Sequence, residues 1–550
     1  MIRPVILAIT FCSALSAAPC EDLAKLSLPQ TTVTMAVSVP PGAFQPPAGF
    51  SLRQGPADVK YADMPAFCRF AATMRPSSDS EIKIEVWLPT AAVWNGKFMA
   101  IGNGGQAGEI YYQQMGLPLS RGYAVASTDT GHEGTSTDGS YALGHPEKVI
   151  DFGYRAVHEM VEKSRAVVAS YYTRTPKYSY WRGCSTGGRQ GLEDIQRYPN
   201  DFDGAITGAP ALNPLMAAQV VWVAQAVHKD AGSLIPPAKF DVLHRAVLDQ
   251  CDASDGVKDG VLENPTKCKF DPKVVQCKGE DGPHCLTEAQ VDAARKIYSA
   301  PTNPRTGTPI APGFMPGSEK GWGFAASAEP PKLTLTGLQN SVFKDPKWDY
   351  RTFNFDRDVA VLERESAARD ARNPNLQPFF AHGGKLLQYH GWSDNLIAPL
   401  NTVNYYNAVA DTLGGVAKID GSYRLFTVPG MAHCQGGDGT DRFDTITALE
   451  QWVEKGKAPD SIPAARYAGD KVVRTRPLCR IRRLRFIRGA AARTKPKTLA
   501  AGYSRGVRER DGDLMPRPSN RGKLGRNSRN GPLQERFESP SSGRRPDRGL

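Results

Sequence analysis

Short apolar runs recur along the first part of the chain, separated by glycine turns or by stretches of helical composition. Residues 98–101, 123–126 and 178–181 are runs of strand length. Residues 204–208 form another, and it follows a segment, 189–198, whose composition favours a helix. Strands that alternate with helices are typical of a parallel sheet covered by helices. The pattern therefore predicts an α/β fold.

The alternation stops between about residues 213 and 380, a region with four cysteines, acidic turns and proline-rich segments. Sheet-like sequence returns at residues 385–389 and 423–428. Residues 441–457 predict a last amphipathic helix, whose apolar face would carry Ile446, Leu449, Trp452 and Val453. We therefore expect residues 213–380 to form an inserted lid domain between two parts of one core, residues 19–212 and 381–479.

The N-terminus has the pattern of a secretory signal peptide. Arg3 precedes an apolar stretch at residues 4–15, and small residues follow it. The alternative, a membrane anchor, needs a longer apolar stretch than this one. Residues 1–18 are therefore expected to be removed, and the protein is expected to be secreted or periplasmic, with no membrane partner.

The net charge of +12 comes from the C-terminal residues. Residues 480–550 contain 20 of the 68 basic residues but only 6 of the 56 acidic ones, which leaves 48 and 50 for the rest. This tail is rich in Arg, Gly, Ser and Pro and lacks periodicity, a composition typical of disorder. A nearly neutral body gives no support for nucleic-acid binding by the folded part.

The cysteine content is consistent with export. Of the ten cysteines, Cys12 lies in the predicted signal and nine remain. In an oxidising compartment most of these should form disulfides. The spacing is compatible with the local pairs Cys251–Cys268 and Cys277–Cys285 but does not fix the connectivity. Because nine is odd, one partner is missing.

Three residues have the order expected of a hydrolase triad. Residues 183–187 read GCSTG, the G-x-S-x-G pattern of a nucleophile elbow, between a strand-like run and a helix. A serine hydroxyl needs an adjacent base held by a carboxylate. Asp394 and His433 each follow a strand-like run. Taken singly, these are also compatible with a glycine-rich turn, a turn-forming aspartate and a structural histidine. Together they predict a catalytic Ser185, His433 and Asp394 on an α/β-hydrolase fold with a large inserted lid domain.

An oxyanion hole would use two backbone N–H groups. The first is that of Thr186, directly after the nucleophile. The second is expected from the glycine-rich segment 102–105, with Gly104 or Gly105 as the donor. The alternative for this segment is a flexible turn.

Two cysteines flank the predicted nucleophile and base. Cys184 precedes Ser185, and Cys434 follows His433. Disulfides need Cα atoms about 4.4–6.8 Å apart, which the neighbours of a touching Ser–His pair can satisfy. We therefore expect a Cys184–Cys434 disulfide that preorganises the catalytic pair.

An acidic loop in the predicted lid is a candidate metal site. Its carboxylates and glycine turns suit a hard cation such as calcium, although the spacing does not match an EF-hand. The alternative is a solvated acidic turn. The expected ligands are the side chains of Asp252, Asp255 and Asp259 and the carbonyls of Val257 and Val261. Calcium here would be structural, since nothing in the sequence links the loop to Ser185. No organic cofactor is expected.

With these residues in place, the chain resembles the tannase and feruloyl esterase family of secreted α/β-hydrolases. The resemblance rests on Cys184-Ser185, Asp394 and His433-Cys434 and covers about residues 20–479. It implies a disulfide across the triad and structural calcium in the lid, bound by the same five residues. It also implies three further disulfides, Cys20–Cys68, Cys251–Cys268 and Cys277–Cys285.

The C-terminus departs from the family pattern. Family members continue past the segment that ends at Cys479 to a final cysteine partner, whereas residues 480–550 contain no cysteine. Cys479 is therefore expected to lack a partner. One explanation is a frameshift near Cys479, so that the tail is not the native ending. The other is a genuine basic arm that binds polyanions or cell surfaces.

The expected activity is that of a secreted serine esterase acting on aromatic acyl esters, either small molecules or polysaccharide-linked. Feruloyl and other hydroxycinnamoyl esters are the first expectation; galloyl esters, as in a tannase, or related aromatic esters are the alternative. Ile397, just past the acid, is the candidate contact in the substrate pocket. An alternative of a different class is a catalytically inactive, calcium-stabilised binding protein, against which the intact triad argues.

Overall fold

A nine-stranded sheet forms the centre of the computed structural model, which describes residues 17–47 and 59–481. Its strands are β1 (Thr31–Val39), β2 (Phe67–Met74), β3 (Ile82–Pro89), β4 (Lys97–Ile101), β5 (Ala124–Thr128), β6 (Tyr178–Cys184), β7 (Gly204–Gly208), β8 (Lys385–Gly391) and β9 (Tyr423–Val428). Their order is β1-β2-β3-β5-β4-β6-β7-β8-β9. The strands β4 to β9 are parallel to one another. At the edge next to β5, the strands β3, β2 and β1 are added antiparallel. The predicted α/β fold is confirmed.

Some of the helices cover the two faces of this sheet, and the others lie in the segment between β7 and β8. The helices are α1 (Tyr112–Ser120), α2 (Pro146–Ile150), α3 (Ala156–Tyr172), α4 (Thr186–Arg197), α5 (Met216–Val227), α6 (Phe240–Cys251), α7 (Glu288–Tyr298), α8 (Lys332–Gly337), α9 (Asp358–Glu365), α10 (Gln377–Ala381), α11 (Leu400–Thr412), α12 (Val416–Ile419) and α13 (Thr445–Lys455). Successive strand residues enter opposite cores because side chains alternate across a sheet. On β6, Trp181 joins the core beneath α3, α4 and α11, and Tyr180 joins the core beneath α1 and α13.

The chain leaves the sheet after β7 and returns at β8. The intervening residues include the predicted lid and carry helices α5 to α10. They bury apolar side chains of their own in two clusters, one around Leu243, Ile297 and Trp322 and one around Leu338 and Tyr350. The segment is therefore packed around its own apolar interior while it stays attached to the sheet at both ends.

The C-terminal part differs from the sequence prediction in one respect. Residues 441–457 are not helical throughout, since α13 begins only at Thr445. The Asp444 side chain accepts the N–H of Thr447 and caps the helix there. The preceding pair of residues belongs to a small antiparallel sheet, with strands β10 (Arg442–Phe443), β11 (Ser461–Ala468) and β12 (Lys471–Cys479).

Almost all of the predicted signal and tail lie outside the described residues. None of the helices in the described part of the chain combines the length and apolar composition needed to cross a bilayer.

Candidate active site

Ser185 occupies a tight turn between β6 and α4. Its φ is +62°, in the region that non-glycine residues rarely adopt. A β-carbon at Gly183 would lie 2.5 Å from the backbone of Gly187, so the first glycine of the motif is needed for this close approach. Such a strained strand-to-helix turn presents the serine side chain at the carboxyl end of the sheet.

The Asp394 carboxylate lies just past β8 and is completely buried. One oxygen, Oδ1, accepts the backbone N–H groups of Leu396 at 2.8 Å and Ile397 at 2.9 Å. The other, Oδ2, accepts hydrogen bonds from His433 Nδ1 at 2.8 Å and His390 Nε2 at 3.1 Å. Burial opposes ionisation, but the two histidines outweigh it and hold the pKa of Asp394 well below its usual range.

His433 follows β9 in a loop fixed to the end of β8. The N–H groups of Trp392 and Ser393 donate to the carbonyls of Val428 at 2.9 Å and Met431 at 3.0 Å. Because an ionised carboxylate can only accept, the His433 Nδ1 carries its proton toward Asp394. Its Nε2 is then free to accept a proton from a hydroxyl, the arrangement that a general base requires.

His390 is the site residue to which sequence reasoning gave no role, although it lies in the segment that contains Asp394. Its ring is completely buried. Its Nε2 contacts the Ile397 carbonyl at 3.0 Å as well as Asp394, and its Nδ1 contacts Thr402 Oγ1 at 2.7 Å. Since a carbonyl can only accept, Nε2 carries a proton, and in the neutral ring Nδ1 then accepts from the threonine hydroxyl. His390 therefore fixes Asp394 from the side opposite His433.

A disulfide joins the two halves of the site. Cys184 and Cys434 are bonded, with their Cα atoms 6.1 Å apart. Ser185 and His433 line the same cavity, which has a volume of about 1190 Å³. The predicted bond is thus present, and it connects the nucleophile elbow with the histidine loop.

The glycine-rich loop after β4 packs against the start of α4. A β-carbon at Gly102 would lie 2.6 Å from the Cα of Gly187. The Gly187 N–H donates to the Asn103 carbonyl at 2.8 Å, and the Thr186 hydroxyl donates to the Gly105 carbonyl at 2.7 Å. Gly104 and Gly105 line the same cavity as Ser185. The loop is therefore placed where a second oxyanion donor is needed.

Ile397 is buried beside the triad. Besides its bonds to Asp394 and His390, it lines a second, smaller cavity of about 150 Å³ that Ser185 also lines. The residue expected at the pocket thus lies next to the site, and its backbone N–H donates to the Asp394 carboxylate.

The acidic loop is closed by the Cys251–Cys268 disulfide. Its oxygen donors suit a hard cation in type, but their side chains do not converge: Asp252 accepts the Gly260 N–H at 2.9 Å, Asp255 accepts the Val257 N–H at 2.9 Å, and Asp259 lies 3.8 Å from Arg474. Within residues 17–47 and 59–481, no three or more His, Cys, Asp and Glu side chains are grouped so as to hold a metal ion. Calcium binding here stays a prediction.

The same loop touches the histidine loop, a contact the sequence did not indicate. Val261 is buried, and its side chain fills the space that a β-carbon on Gly430 would need. Gly430 precedes His433 by three residues and has a φ of +68°. The acidic loop therefore packs against the segment that carries His433.

The remaining disulfides are Cys20–Cys68 and Cys277–Cys285, so all four expected pairs are present. Cys479 is exposed, and among the described residues it is the one cysteine with a free thiol. Four disulfides are consistent with an extracellular protein.

Comparison with known proteins shows the family of this chain. The family model described as tannase and feruloyl esterase matches residues 68–492. The chain is 38% identical to an uncharacterized esterase of Xanthomonas campestris pv. campestris, covering 85% of this chain and 88% of that protein. It is 35% identical to a probable feruloyl esterase B-2 of Aspergillus terreus, covering 86% and 93%.

A solved structure, feruloyl esterase B from Aspergillus oryzae, superimposes with a TM-score of 0.75 at 32% identity and covers 84% of this chain and 95% of that one. The α/β-hydrolase fold and the family resemblance are both confirmed. The chain belongs to the tannase and feruloyl esterase family, and it is a carboxylic ester hydrolase.

Proposed function

We propose that this protein hydrolyses aromatic acyl esters through an acyl-enzyme, with feruloyl and other hydroxycinnamoyl esters as its main substrates. Ser185 attacks the ester carbonyl while His433 takes its proton and passes it to the leaving alcohol. Water then attacks the acyl-enzyme by the same route and releases the aromatic acid. Asp394 keeps His433 in the required tautomer throughout.

The observation that carries this proposal is the 2.8 Å hydrogen bond from His433 to a buried, ionised Asp394, next to a cavity that Ser185 shares. The N–H of Thr186, with that of Gly104 or Gly105, would stabilise the oxyanion. The names of the relatives favour feruloyl esters. Galloyl esters are the second candidate because the family model also covers tannases.

A panel of esters tests the proposal. Hydrolysis of methyl ferulate, methyl gallate and a terephthalate monoester would be followed by chromatography. We expect the highest kcat/KM for the ferulate ester and loss of all three activities in Ser185→Ala. Ser422→Ala is the matched control, since Ser422 precedes β9 at the opposite end of the sheet. Unchanged hydrolysis by Ser185→Ala would reject the assigned nucleophile.

We also propose that the acidic loop binds structural calcium. When bound, the ion would be held by the oxygens of Asp252, Asp255, Val257, Asp259 and Val261. It would contribute to stability because an ion that binds the folded chain and not the unfolded chain favours the folded state. A chelator should lower the melting temperature of the wild type but not that of Asp255→Asn/Asp259→Asn. Asp249→Asn, an exposed change outside the loop, is the control. Metal-free wild-type protein with an unaltered melting temperature would count against calcium.

We further propose that the protein is exported after cleavage of residues 1–18. Sequencing the N-terminus of exported protein should give a start at Pro19, and retention with residues 1–18 intact would contradict the proposal. Intact mass of the same sample decides whether residues 480–550 are present, as for a genuine basic arm, or replaced, as for a frameshift.

A further inference from the structure

The glycine-rich loop after β4, residues 102–108, leaves two of its backbone N–H groups unpaired; we call it the oxyanion loop. Most of its N–H groups donate within the protein. Those with acceptors at 2.9–3.0 Å belong to Gly102, Asn103, Gln106, Ala107 and Gly108. The N–H groups of Gly104 and Gly105 have no acceptor among the described residues. Both glycines line the cavity of Ser185, so an oxyanion donor in this loop has to come from one of them.

The position of the oxyanion loop depends on a neighbouring stretch, residues 134–139, which we call the backing segment. The Gln106 N–H donates to the Ser136 carbonyl at 2.9 Å. A β-carbon at Gly105 would lie 2.4 Å from the Ser136 carbonyl oxygen. Because the two backbones approach so closely, a displacement of the backing segment displaces Gly105 as well.

A threonine of the lid contacts the backing segment. Thr336 lies on α8, and its Oγ1 accepts the Gly139 N–H at 3.2 Å. The same oxygen lies 2.9 Å from the Thr137 carbonyl and 2.9 Å from the Lys332 carbonyl, which share its single hydrogen. A β-carbon at Gly139 would lie 2.9 Å from the Thr336 backbone. The lid helix is therefore both hydrogen-bonded to the backing segment and closely packed against it.

The Thr336 hydroxyl also contacts the oxyanion loop directly. Gln106 Nε2 donates to Thr336 Oγ1 at 3.3 Å and to the Leu333 carbonyl at 2.7 Å. Gln106 is buried, and a β-carbon at Gly337 would lie 3.2 Å from its Nε2. One hydroxyl of the lid thus joins α8, the backing segment and the oxyanion loop.

We propose that Thr336 is a positioning residue for the oxyanion hole. Through the backing segment and Gln106, its hydroxyl sets the place of the Gly104 and Gly105 N–H groups. Oxyanion donors act within about 2.7–3.1 Å of the oxygen that becomes charged, so a small displacement weakens them. Thr336 lines neither of the two cavities beside Ser185, so it acts through these contacts and not through the substrate. The inference rests on the proposed function, because the oxyanion forms only when an ester is attacked.

A purely structural role for Thr336 is the alternative, in which its bonds only hold the lid in place. A loosened lid would weaken the binding of substrate and product alike and would raise KM. A displaced oxyanion donor would instead lower kcat and leave ground-state binding unchanged, because the charge develops only in the transition state. The two roles therefore differ in which kinetic constant changes.

Steady-state kinetics on methyl ferulate separate these roles. In Thr336→Val, which keeps the branched shape and removes the hydroxyl, we expect kcat to fall about tenfold. KM should stay within about twofold of the wild type. Thr336→Ser, which keeps the hydroxyl, should retain the wild-type kcat. Thr352→Val is the matched control, since Thr352 is an exposed lid threonine whose hydroxyl donates to the Asp349 carbonyl at 2.7 Å.

Inhibition by styrylboronic acid gives a second readout. Ser185 Oγ bonds to the boron, its proton passes to His433, and the tetrahedral boronate anion places an oxygen in the oxyanion hole. The inhibition constant of this compound should rise about tenfold in Thr336→Val, in step with the fall in kcat. That of cinnamic acid, which forms no such anion, should change by less than about twofold.

Four results would overturn the proposal: an unchanged kcat in Thr336→Val, a loss confined to KM, a low kcat in Thr336→Ser, or an unchanged inhibition constant for the boronic acid while kcat falls. If Thr336→Val does not fold, Gln106→Met is measured in its place, and the boronic acid and cinnamic acid should show the same difference. Failure of the proposed function looks different, since then the wild type itself neither hydrolyses methyl ferulate nor is inhibited by the boronic acid.

Discussion

At the scale of single residues, Asp394 is the most constrained group in the site. Its two oxygens receive four hydrogen bonds from two backbone N–H groups and two imidazoles. A buried carboxylate without such partners would be strongly disfavoured as an ion. The arrangement therefore keeps a negative charge next to His433, and His390 supplies one of the four bonds.

Replacing His390 tests this role. In His390→Gln we expect kcat to fall about tenfold, since one hydrogen bond to the carboxylate is lost, while KM changes little because the ring does not face the substrate cavities. Thr402→Val, which removes only the hydrogen bond to His390 Nδ1, should lower kcat by less than His390→Gln does. The measurement is steady-state kinetics on methyl ferulate, with exposed His382→Gln as control. A loss confined to KM would contradict a positioning role.

Sequence order and position after a strand were enough to place Asp394 and His433 together. The role of His390 could not be read in the same way, because a buried histidine in a strand end has the same pattern whether it packs or orients a carboxylate. Gln106 of the core and Phe324 of the lid line one cavity with Ser185, although more than 200 residues separate them in the chain. Their shared cavity depends on how the lid folds back over Ser185, which no local pattern encodes.

At the scale of elements, a buried histidine of the lid interacts with the loop that contains His433. His244 on α6 lies 2.8 Å from Glu319 and 3.4 Å from Asp438, which follows His433 in the same loop. Burial opposes protonation, but the Asp438 and Glu319 carboxylates outweigh both burial and nearby Lys320 and raise the pKa of His244 to about 9. The cation therefore joins two elements through both carboxylates.

The ion pairs of His244 with Glu319 and Asp438 predict that the stability of the protein depends on pH. Because the folded pKa lies above the unfolded value of about 6.5, the stabilisation is complete below about pH 6.5 and is lost as the pH rises through about 9. Thermal unfolding would be measured from pH 6 to 10. Over this range the free energy of unfolding of the wild type should fall by up to about 3 kcal/mol more than that of His244→Gln. Exposed His284→Gln should show the same pH dependence as the wild type. If the free energies of unfolding of the wild type and His244→Gln changed in parallel with pH, the stabilising role of the His244 ion pairs would be refuted.

Elements that follow a clear pattern of apolar residues could be predicted from the sequence. Elements that form only because they pair with another strand could not. The parallel strands β4 to β9 follow apolar runs, whereas edge strand β1 is only partly buried and carries a weak pattern. The two residues of β10 are strand because they pair with β11, and the cap at Asp444 then delays α13. Apolar spacing over residues 441–457 could not reveal that boundary.

At the scale of the whole molecule, the Cys184–Cys434 disulfide links segments 250 residues apart at the catalytic centre. Removing it in Cys184→Ala/Cys434→Ala should lower kcat about 10- to 100-fold, because small displacements of the base from the nucleophile are costly. Cys277→Ala/Cys285→Ala, which opens a bond across 8 residues in the lid, is the control. Kinetics and circular dichroism on both would separate a catalytic effect from unfolding. Full activity of the first variant would contradict the preorganising role.

The family and the Cys184–Cys434 disulfide could be predicted from the sequence because each leaves a residue pattern: Cys-Ser with His-Cys, and an acid and a base that each follow a strand. The path of the lid could not, because its two apolar clusters form between elements far apart in the chain. The acidic loop shows the same limit of prediction. No sequence pattern linked it to Ser185, yet its Val261 contacts Gly430, three residues before His433.

The central claim is that Ser185, activated by His433 and Asp394, is the nucleophile toward aromatic esters. Labelling with a fluorophosphonate probe followed by peptide mass spectrometry tests it most directly. The account predicts one label on the peptide containing Ser185, blocked by excess methyl ferulate, absent in Ser185→Ala and much slower in His433→Ala. Label on another residue, or an unlabelled protein that still hydrolyses methyl ferulate, would contradict it.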